Sequence, residues 1–219
     1  TEIYTLSLHD ALPICPPGAE LIYVGKRASR HAMPQEEINE MLAEYAAKYP
    51  VVVRLKGGDP FIFGRGGEEL TYLVERGIEC QVIPGITAAT AAAASAGIPL
   101  THREATDRVV FLSGHTRKDS LPDLTGIDPS RDTIVIYMGV AHIASLAREL
   151  SGPGEEYGEI PLIIVEKAST PEEKIHHSCL ARAHTLQEKI SAPAIIVIGK
   201  VCSRAFSVPR HSLLEYGYS

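Results

Sequence analysis

The first half of the chain alternates between short apolar runs and stretches with helical spacing of apolar residues. The apolar runs predict strands at Leu21–Gly25, Val51–Leu55 and Cys80–Ile83. The helical spacing predicts helices at Pro34–Tyr49, at Leu70–Gly77 and at Thr87–Ala96. Strands that alternate with helices are typical of a mainly parallel sheet covered by helices, so the pattern predicts an α/β fold.

The second half starts a new set of elements after an irregular stretch, Ile98–Arg108, which we interpret as a connection between two domains. Apolar runs predict strands at Arg108–Leu112, Thr133–Tyr137, Pro161–Glu166, Ile175–Leu180 and Ala194–Gly199. Val140–Leu150 has the spacing of an amphipathic helix, and Arg117–Arg131 has the composition of a long surface loop. We expect an amino-terminal α/β domain at 15–104, a carboxyl-terminal α/β domain at 105–206 and a tail at 207–219.

The first fourteen residues, TEIYTLSLHDALPI, stand apart from this pattern. They match the in-frame translation of a widely used sequencing adapter, and a natural amphipathic start is the weaker alternative because all fourteen positions match. We therefore interpret Thr1–Ile14 as an artefact and exclude it from the fold. On this hypothesis the authentic amino terminus has been lost.

Composition and charge narrow the class of protein. Of the 219 residues 45% are hydrophobic, which suits a globular protein with a core. The net charge is −6, or −4 without Glu2 and Asp10, and no block of basic residues occurs, so we expect neither nucleic acid nor a membrane surface as a partner. The longest apolar run, Ile86–Leu100, is shorter than the roughly twenty residues of a membrane-spanning helix.

The cysteines and histidines do not predict a metal centre. The cysteines are Cys15, Cys80, Cys179 and Cys202. They form no Cys-x-x-Cys pair and are typical of scattered buried thiols in a cytoplasmic protein. The histidines form no HExxH pattern, and the adjacent His176 and His177 are expected to point to opposite faces of a strand.

The most informative stretch is VVVRLKGGDPFIFGRGGEE, Val51–Glu69, where a strand opens into a loop with five of the eighteen glycines. Glycine has no side chain, so a ligand can approach the main chain of this loop closely. In α/β sheets, ligands bind at the carboxyl ends of the strands. Asp59 and Arg65 add a carboxylate and a guanidinium. The spacing matches neither the dinucleotide-binding G-x-G-x-x-G nor the phosphate-binding G-x-x-x-x-G-K-[ST]. We expect a binding loop of another kind, with a purely structural turn as the alternative.

Four other predicted strand ends also place glycine beside polar or soft side chains. They are Gly25-Lys26-Arg27, Pro84-Gly85-Ile86-Thr87, Ser113-Gly114-His115 and Tyr137-Met138-Gly139. Each of them alone is more typical of a turn. Because each of these segments follows a predicted strand, we expect them to form a ligand site together at the strand ends.

These motifs resemble the tetrapyrrole methylase family, and within it the uroporphyrinogen III C-methyltransferases. The resemblance extends from Pro16 to about Val201. Its most specific segments are VGKRASRHAMPQEEIN (Val24–Asn39), VVRLKGGDPFIFGRGGEEL (Val52–Leu70), VIPGITAATAAAASAGIPLTHR (Val82–Arg103) and IYMG (Ile136–Gly139). It implies the two-domain tetrapyrrole methylase fold, with the cofactor cleft between the domains, in a homodimer. The family's first strand with its GxGPGDP-like loop, and the helix that follows, have no counterpart in the sequence.

The resemblance also implies an enzyme that methylates uroporphyrinogen III twice with S-adenosylmethionine, giving precorrin-2 without the help of a metal. The implied cofactor contacts are Gly57, Gly58, Asp59, Ile62, Thr87, Ala88, Met138 and Ala168. Lys26 matches the family's proposed proton donor. The family's proposed proton acceptor is an aspartate on a segment that this sequence lacks.

The implied substrate carries eight carboxylates, so we expect positively charged side chains at the site that binds it. Arginine can hold a carboxylate at two points, and we expect Arg27, Arg54 and Arg65 to bind the substrate. Other cations beside the motif loops are Arg30, Lys56 and Arg103. The alternative is that about half of these cations pair with Glu68, Glu69 or Glu104 on the surface.

Two rival functions stay open at this point. One is a methylase of a later corrin precursor on the same fold. The other, from a different class, is a module that binds the cofactor or dimerises without catalysis. The sequence does not distinguish siroheme from cobalamin as the destination of the product.

Overall fold

The computed structural model describes residues 2–6, 15–25, 33–114, 120–153 and 156–206. The chain divides into two compact units, Thr1–Thr87 and Ala88–Ser219, and each contains its own sheet. The helix at 88–96 therefore belongs to the second unit. The domain boundary expected after Glu104 stays a prediction.

The first unit has a parallel sheet with helices packed on it. Its elements are β1 (Glu2–Leu6), β2 (Glu20–Tyr23), α1 (Gln35–Ala46), β3 (Val51–Leu55) and α2 (Gly66–Val74). The strand order is β2-β1-β3, and both pairs are parallel. Val24, Ile38 and Leu42 form a small buried core. The predicted helix after Pro34 and the predicted strand β3 are confirmed.

The central strand of this sheet comes from the amino-terminal segment that was expected to lie outside the fold. The backbone of Glu2–Leu6 pairs with β2 on one side and with β3 on the other. This corrects the expectation that the first strand position of the unit is empty. Backbone N–H and C=O groups make the ladder whatever the side chains are, so an unrelated sequence can fill a strand position. The origin of Thr1–Ile14 stays a prediction.

The segment Cys80–Ile83 is not a strand, which corrects another expectation. The sheet of this unit contains only β1, β2 and β3 among the described residues, and Ile83 is 68% exposed. An apolar run becomes a strand only where a neighbouring strand accepts its amide hydrogens. Cys80 is also half-buried rather than buried, as is Cys15, whereas Cys179 and Cys202 are buried as expected.

The second unit has a mixed sheet. Its elements are α3 (Ala88–Ala96), β4 (Arg108–Ser113), β5 (Asp132–Tyr137), α4 (Ile143–Ser151), β6 (Pro161–Glu166), β7 (Lys174–Cys179) and β8 (Ala194–Ile198). Short 3-10 helices lie at Val140–His142, Leu180–Leu186 and Lys200–Arg204. Each strand predicted for this half is confirmed to within a residue at either end.

The direction of the strands in this sheet decides where their ends meet. The order is β4-β5-β8-β6-β7, with β4 parallel to β5 and with β8 antiparallel to both β5 and β6. It follows that β6 runs in the same direction as β5, so β4, β5 and β6 end at the same edge. The parallel sheet expected from the first half of the chain is confirmed in the first unit, and the sheet of the second unit is mixed.

The core of the second unit lies between this sheet and α4. Every residue of β5 and β8 is buried, as a strand covered on both faces must be. Helix α4 packs Ile143, Leu146 and Leu150 against the isoleucines of these strands. The described part of the predicted loop, 120–131, has no helix or strand, yet Leu121 and Leu124 pack against the core and anchor it.

None of the helices in the described parts of the chain has the length and apolar character that crossing a bilayer requires.

Candidate functional site

The loop that follows β3 is held in a tight shape by its own backbone. Phe63 and Arg65 have left-handed backbone, with φ of 52° and 61°, and Gly58 has φ of 88°. A Cβ atom on Gly64 or Gly66 would lie 2.6 Å from the carbonyl oxygen of Pro60. These two glycines are therefore needed for the fold of the loop itself, which is the structural alternative that the sequence left open.

Asp59 fastens this loop to a second loop of the same unit. Its Oδ1 accepts the amide of Phe61 at 2.8 Å, and its Oδ2 accepts the amide of Gly85 at 3.1 Å. The hydrogen bonds from Gly85, Phe61 and Ile62 lower the pKa of Asp59, so the side chain is a carboxylate at neutral pH. A Cβ on Gly85 would lie 2.6 Å from the carbonyl oxygen of Gly58, so only glycine fits this approach.

The implied cofactor residues of the first unit therefore share one local structure. Gly57, Gly58, Asp59 and Ile62 lie on the loop after β3, and Asp59 connects that loop to the Pro84-Gly85 turn, shortly before Thr87. Gly57 and Gly58 are exposed, which leaves their backbone open to a ligand. The arrangement can present peptide groups to a small molecule, as expected of a binding loop.

The basic residues around this loop have partners. Arg54 donates to Glu69 through Nε at 3.2 Å, and Lys56 donates to both carboxylate oxygens of Glu69 at 3.0 and 2.9 Å. Arg65 pairs with Glu68 at 2.8 Å on the surface. The Glu69 pairs are buried rather than on the surface, which corrects the expected location of these pairs. A substrate-binding role for Arg54 and Arg65 stays a prediction.

Strained backbone marks the corresponding strand ends in the second unit. Met138 follows β5 with φ of 53°, and Lys167 and Ser169 follow β6 with φ of 46° and 64°. Left-handed backbone is costly for residues other than glycine and is concentrated at functional sites. These residues flank the carboxyl edge at which β5 and β6 both end, next to the expected cofactor residue Ala168.

Close backbone packing shapes the same edge at β4 and β5. The amide of Gly114 donates to the carbonyl of Tyr137 at 2.7 Å. A Cβ on Gly114 would lie 2.4 Å from the Cα of Gly139, and one on Gly139 would lie 2.6 Å from Cγ2 of Ile136. Glycine at these two strand ends therefore allows the turns after β4 and β5 to touch.

A hydrogen bond connects α3 to the same strand end. The amide of Ala89 donates to the hydroxyl of Tyr137 at 3.2 Å, and this satisfies one of the free amides in the first turn of α3. The expected cofactor residues Ala88 and Met138 adjoin the two partners of this bond in the chain. They therefore lie in the same part of the second unit.

A buried acid at the end of β6 was not predicted from the sequence. Glu166 is 3% exposed, and its Oε1 lies 2.6 Å from Nε2 of His176 on the neighbouring strand β7. The pair sits directly before the strained Lys167-Ala168-Ser169 turn. Glu166 is the polar residue at the end of the otherwise apolar run of β6, and this pattern indicated neither its burial nor its partner.

Several expected site residues lie outside the described residues. These include the proposed proton donor Lys26 and the proposed substrate contact Arg27, as well as the neighbouring cation Arg30. In the part of the chain that the structure describes, no group of three or more His, Cys, Asp or Glu side chains is arranged to hold a metal ion.

Comparison with known proteins identifies the family. Residues 3–183 match the family model of Tetrapyrrole (Corrin/Porphyrin) Methylases. The chain is 44% identical over 192 residues to a siroheme synthase of Azotobacter vinelandii, covering 86% of this chain and 41% of the relative. It is also 44% identical over 201 residues to the chloroplastic S-adenosyl-L-methionine-dependent uroporphyrinogen III methyltransferase of Arabidopsis thaliana, covering 88% of this chain and 53% of the relative. The chain thus spans about half or less of the length of these relatives.

A solved structure agrees with this result. The uroporphyrin-III C-methyl transferase of Thermus thermophilus, complexed with S-adenosyl homocysteine, is 35% identical with a TM-score of 0.76. The match covers 93% of this chain and 86% of the Thermus chain. The family expected from the motifs is thereby confirmed, together with its α/β fold. This chain belongs to the tetrapyrrole (corrin/porphyrin) methylase family.

Proposed function

We propose that this chain transfers methyl groups from S-adenosylmethionine to uroporphyrinogen III and gives precorrin-2. The observation that carries the proposal is the loop after β3, which Asp59 fastens against Gly85 at the carboxyl end of a parallel strand. That is where α/β sheets bind their ligands. The names of the Arabidopsis and Thermus relatives state the cofactor class and the substrate, which supports the same assignment here.

The residues present suit this cofactor. In the first unit, Gly57, Gly58 and Ile62 offer backbone and a small apolar surface, and we propose that they bind it together with Thr87. Both oxygens of Asp59 already accept backbone amides, so Asp59 acts by shaping the loop. In the second unit we propose contacts from Met138 and Ala168, which lie on or beside strained backbone, and from Ala88 at the start of α3.

Bound S-adenosylmethionine supplies a methyl group on a positively charged sulfur, which is ready for displacement. An electron pair of a pyrrole carbon forms the new carbon–carbon bond, the carbon–sulfur bond breaks, and its electrons stay on sulfur in S-adenosylhomocysteine. One proton leaves the tetrapyrrole for each methyl group that is added. The main task of the protein is to hold the carbon and the methyl group in line. We propose that Lys26 handles a proton in this reaction.

The carboxylates of the substrate need cationic partners. The guanidinium of Arg65 is half exposed and pairs with Glu68 on the surface. A surface pair of this kind contributes little stability, so Glu68 can give way to a substrate carboxylate at small cost. We propose that Arg65 binds the substrate in this manner, and that Arg27 and Arg54 also contact it.

We further propose that the protein works as a cytoplasmic homodimer. The support is the family resemblance, since the structure describes one chain. Light scattering coupled to size-exclusion chromatography measures the mass directly. A mass of one chain at micromolar concentration would contradict the dimer and leave the methyl-transfer proposal intact.

The choice of acceptor separates the proposed function from its rivals. The chain is incubated with S-adenosylmethionine and either uroporphyrinogen III or precorrin-2, and the product mass is measured. We expect two methyl groups on uroporphyrinogen III. Methylation of precorrin-2 alone would favour the methylase of a later corrin precursor. Binding of S-adenosylhomocysteine in calorimetry without any product would favour the non-catalytic binding module.

A further inference from the structure

Glu69 is a buried carboxylate that the proposed chemistry does not use. It lies in the first turn of α2, and its side chain is only 6% exposed. Oε1 accepts hydrogen bonds from Gln35 at 3.1 Å, from Arg54 at 3.2 Å and from Lys56 at 3.0 Å. Oε2 accepts a second bond from Lys56 at 2.9 Å. One side chain therefore joins α1, the end of β3 and α2.

The two charged partners sit at the two ends of the glycine-rich loop. Lys56 comes directly before Gly57, where the loop leaves β3, and Glu69 lies in the first turn of α2, which begins at Gly66. The Lys56–Glu69 pair thus closes the base of the loop. Within the loop, the amide of Gly66 donates to the carbonyl of Pro60 at 2.9 Å, so the closure continues into the backbone.

The network is connected further into α1. The side chain amide of Gln35 donates both to Glu69 and to Oδ1 of Asn39, at 2.9 Å for the latter, and both amide residues are buried. Buried polar side chains that satisfy one another hold a single arrangement, because any other would leave a polar group without a partner. The position of α2 relative to β3 is set in this way.

The charges in the network depend on one another. Burial lowers the pKa of Lys56, and the hydrogen bond with Glu69 opposes this shift. Replacing both residues of a buried ion pair by apolar residues often leaves the stability of a protein unchanged. Replacing only one of the two residues leaves the other charge buried and unpaired. A buried ion pair at the base of a ligand loop is therefore better explained by the geometry that it imposes than by stability.

We propose that Glu69 is a positioning residue, which holds both ends of the loop Gly57–Arg65 in the shape that receives S-adenosylmethionine. The inference rests on the proposed function for the identity of the ligand. The geometric part, that Glu69 fixes the loop, does not depend on it. Glu69 acts through Lys56 and the backbone of the loop, without itself touching the cofactor.

The test compares Glu69→Gln with the unchanged chain and with Glu44→Gln. The latter removes an exposed carboxylate of α1 that pairs with Lys48. Amide hydrogen exchange, read by mass spectrometry without ligand, reports on the loop. We expect faster exchange across 57–66 in Glu69→Gln, with unchanged exchange in β5 and β8. We also expect the dissociation constant for S-adenosylhomocysteine to rise about tenfold, as for the loss of one hydrogen bond to a charged group. Glu44→Gln should match the unchanged chain in both measurements.

A second variant covers the case in which Glu69→Gln does not fold. Lys56→Met removes both hydrogen bonds that Lys56 makes to Glu69 and leaves Glu69 paired with Arg54 and Gln35, so no buried charge is left alone. We expect faster exchange across 57–66 and weaker binding of S-adenosylhomocysteine in Lys56→Met than in the unchanged chain. Equal exchange in these two proteins would overturn the proposal, as would an unchanged loop in Glu69→Gln. If the unchanged chain does not bind S-adenosylhomocysteine, the proposed function fails, and the exchange measurement still decides the role of Glu69.

Discussion

Oδ2 of Asp59 accepts a hydrogen bond from the backbone amide of Gly85, with 3.1 Å between the two atoms. The two residues are 26 positions apart in the chain, and the other carboxylate oxygen accepts the amide of Phe61. One side chain thus shapes its own loop and attaches it to the Pro84-Gly85 turn. The first two predictions follow from this contact.

We predict that Asp59→Asn weakens the binding of S-adenosylhomocysteine about tenfold. Asparagine keeps one acceptor oxygen, so one of the two amides faces an NH₂ group and loses its bond. Calorimetric titration measures the affinity. Asp123→Asn is the matched control, since Asp123 accepts the amide of Thr125 at 2.9 Å in an exposed turn of the second unit. Equal affinities for the two variants would contradict the role given to Asp59.

We predict that Gly85→Ala destabilises the first unit and weakens cofactor binding. The added Cβ would lie 2.6 Å from the carbonyl oxygen of Gly58, so one of the two loops has to move. Overpacking of this kind costs about 1–3 kcal/mol in the free energy of unfolding, which urea titration measures. Gly67→Ala is the control. A Cβ atom at Gly67, in the first turn of α2, has no other atom within 4 Å. We expect this substitution to leave the free energy of unfolding unchanged or to raise it by about 0.5–1 kcal/mol.

We predict that the buried acid Asp132 makes the second unit sensitive to low pH. Burial acts to raise its pKa, but the hydrogen bond from Arg108, the amide of Asp128 and the charge of Arg108 outweigh it, and the net pKa is lowered. Because the folded pKa lies below the unfolded value of about 3.9, the carboxylate stabilises the fold above that pH. The stabilisation is lost as the pH falls through the folded pKa.

The variant Asp132→Asn measures this contribution. At pH 7 we expect its free energy of unfolding to be about 1–3 kcal/mol lower than that of the unchanged chain, since Arg108 and the Asp128 amide lose a charged acceptor. The difference should shrink as the pH falls below the unfolded value of about 3.9 and through the lower folded pKa of Asp132, where the aspartate becomes neutral like the asparagine. A constant difference across this range would show that shape, and not charge, accounts for the effect.

We predict that thiol reagents distinguish the four cysteines. Burial raises the pKa of Cys202 to about 12, so its reactive thiolate is scarce at pH 8. Cys179 is buried as well, whereas Cys15 and Cys80 are half-buried. Mass spectrometry after brief labelling should find the reagent on Cys15 and Cys80, and on Cys179 and Cys202 only in urea. Native labelling of Cys202 would contradict its burial.

The sequence predicted what depends on local pattern. The apolar runs of β3 and β6 matched the bounds of both strands. Most of β6 is buried, and strands buried on both faces are nearly continuous in apolar residues. The same local signal misled at Cys80–Ile83, where no strand among the described residues is available as a partner. It also could not show that the backbone of Glu2–Leu6 takes the central position of a sheet.

The candidate site was predicted where glycine marks it and missed where it does not. Gly58 and Gly85 drew attention to the loops that Asp59 joins. Lys167 and Ser169 adopt left-handed backbone that is usually given to glycine, so nothing in the sequence signalled their strain. Glu69 was expected on the surface, and its burial depends on α1 and β3, which the local sequence does not contain.

The activity proposed for this chain is the methylation of uroporphyrinogen III. The most direct test is the transfer of labelled methyl from S-adenosylmethionine to uroporphyrinogen III. The chain is compared with a version in which Thr1–Ile14 is replaced by an amino-terminal segment typical of the family. We predict label in the tetrapyrrole with both proteins, at a rate for the repaired version at least as high as for the chain itself. No label with either, while the repaired version is folded and binds S-adenosylhomocysteine, would contradict the assignment of the substrate.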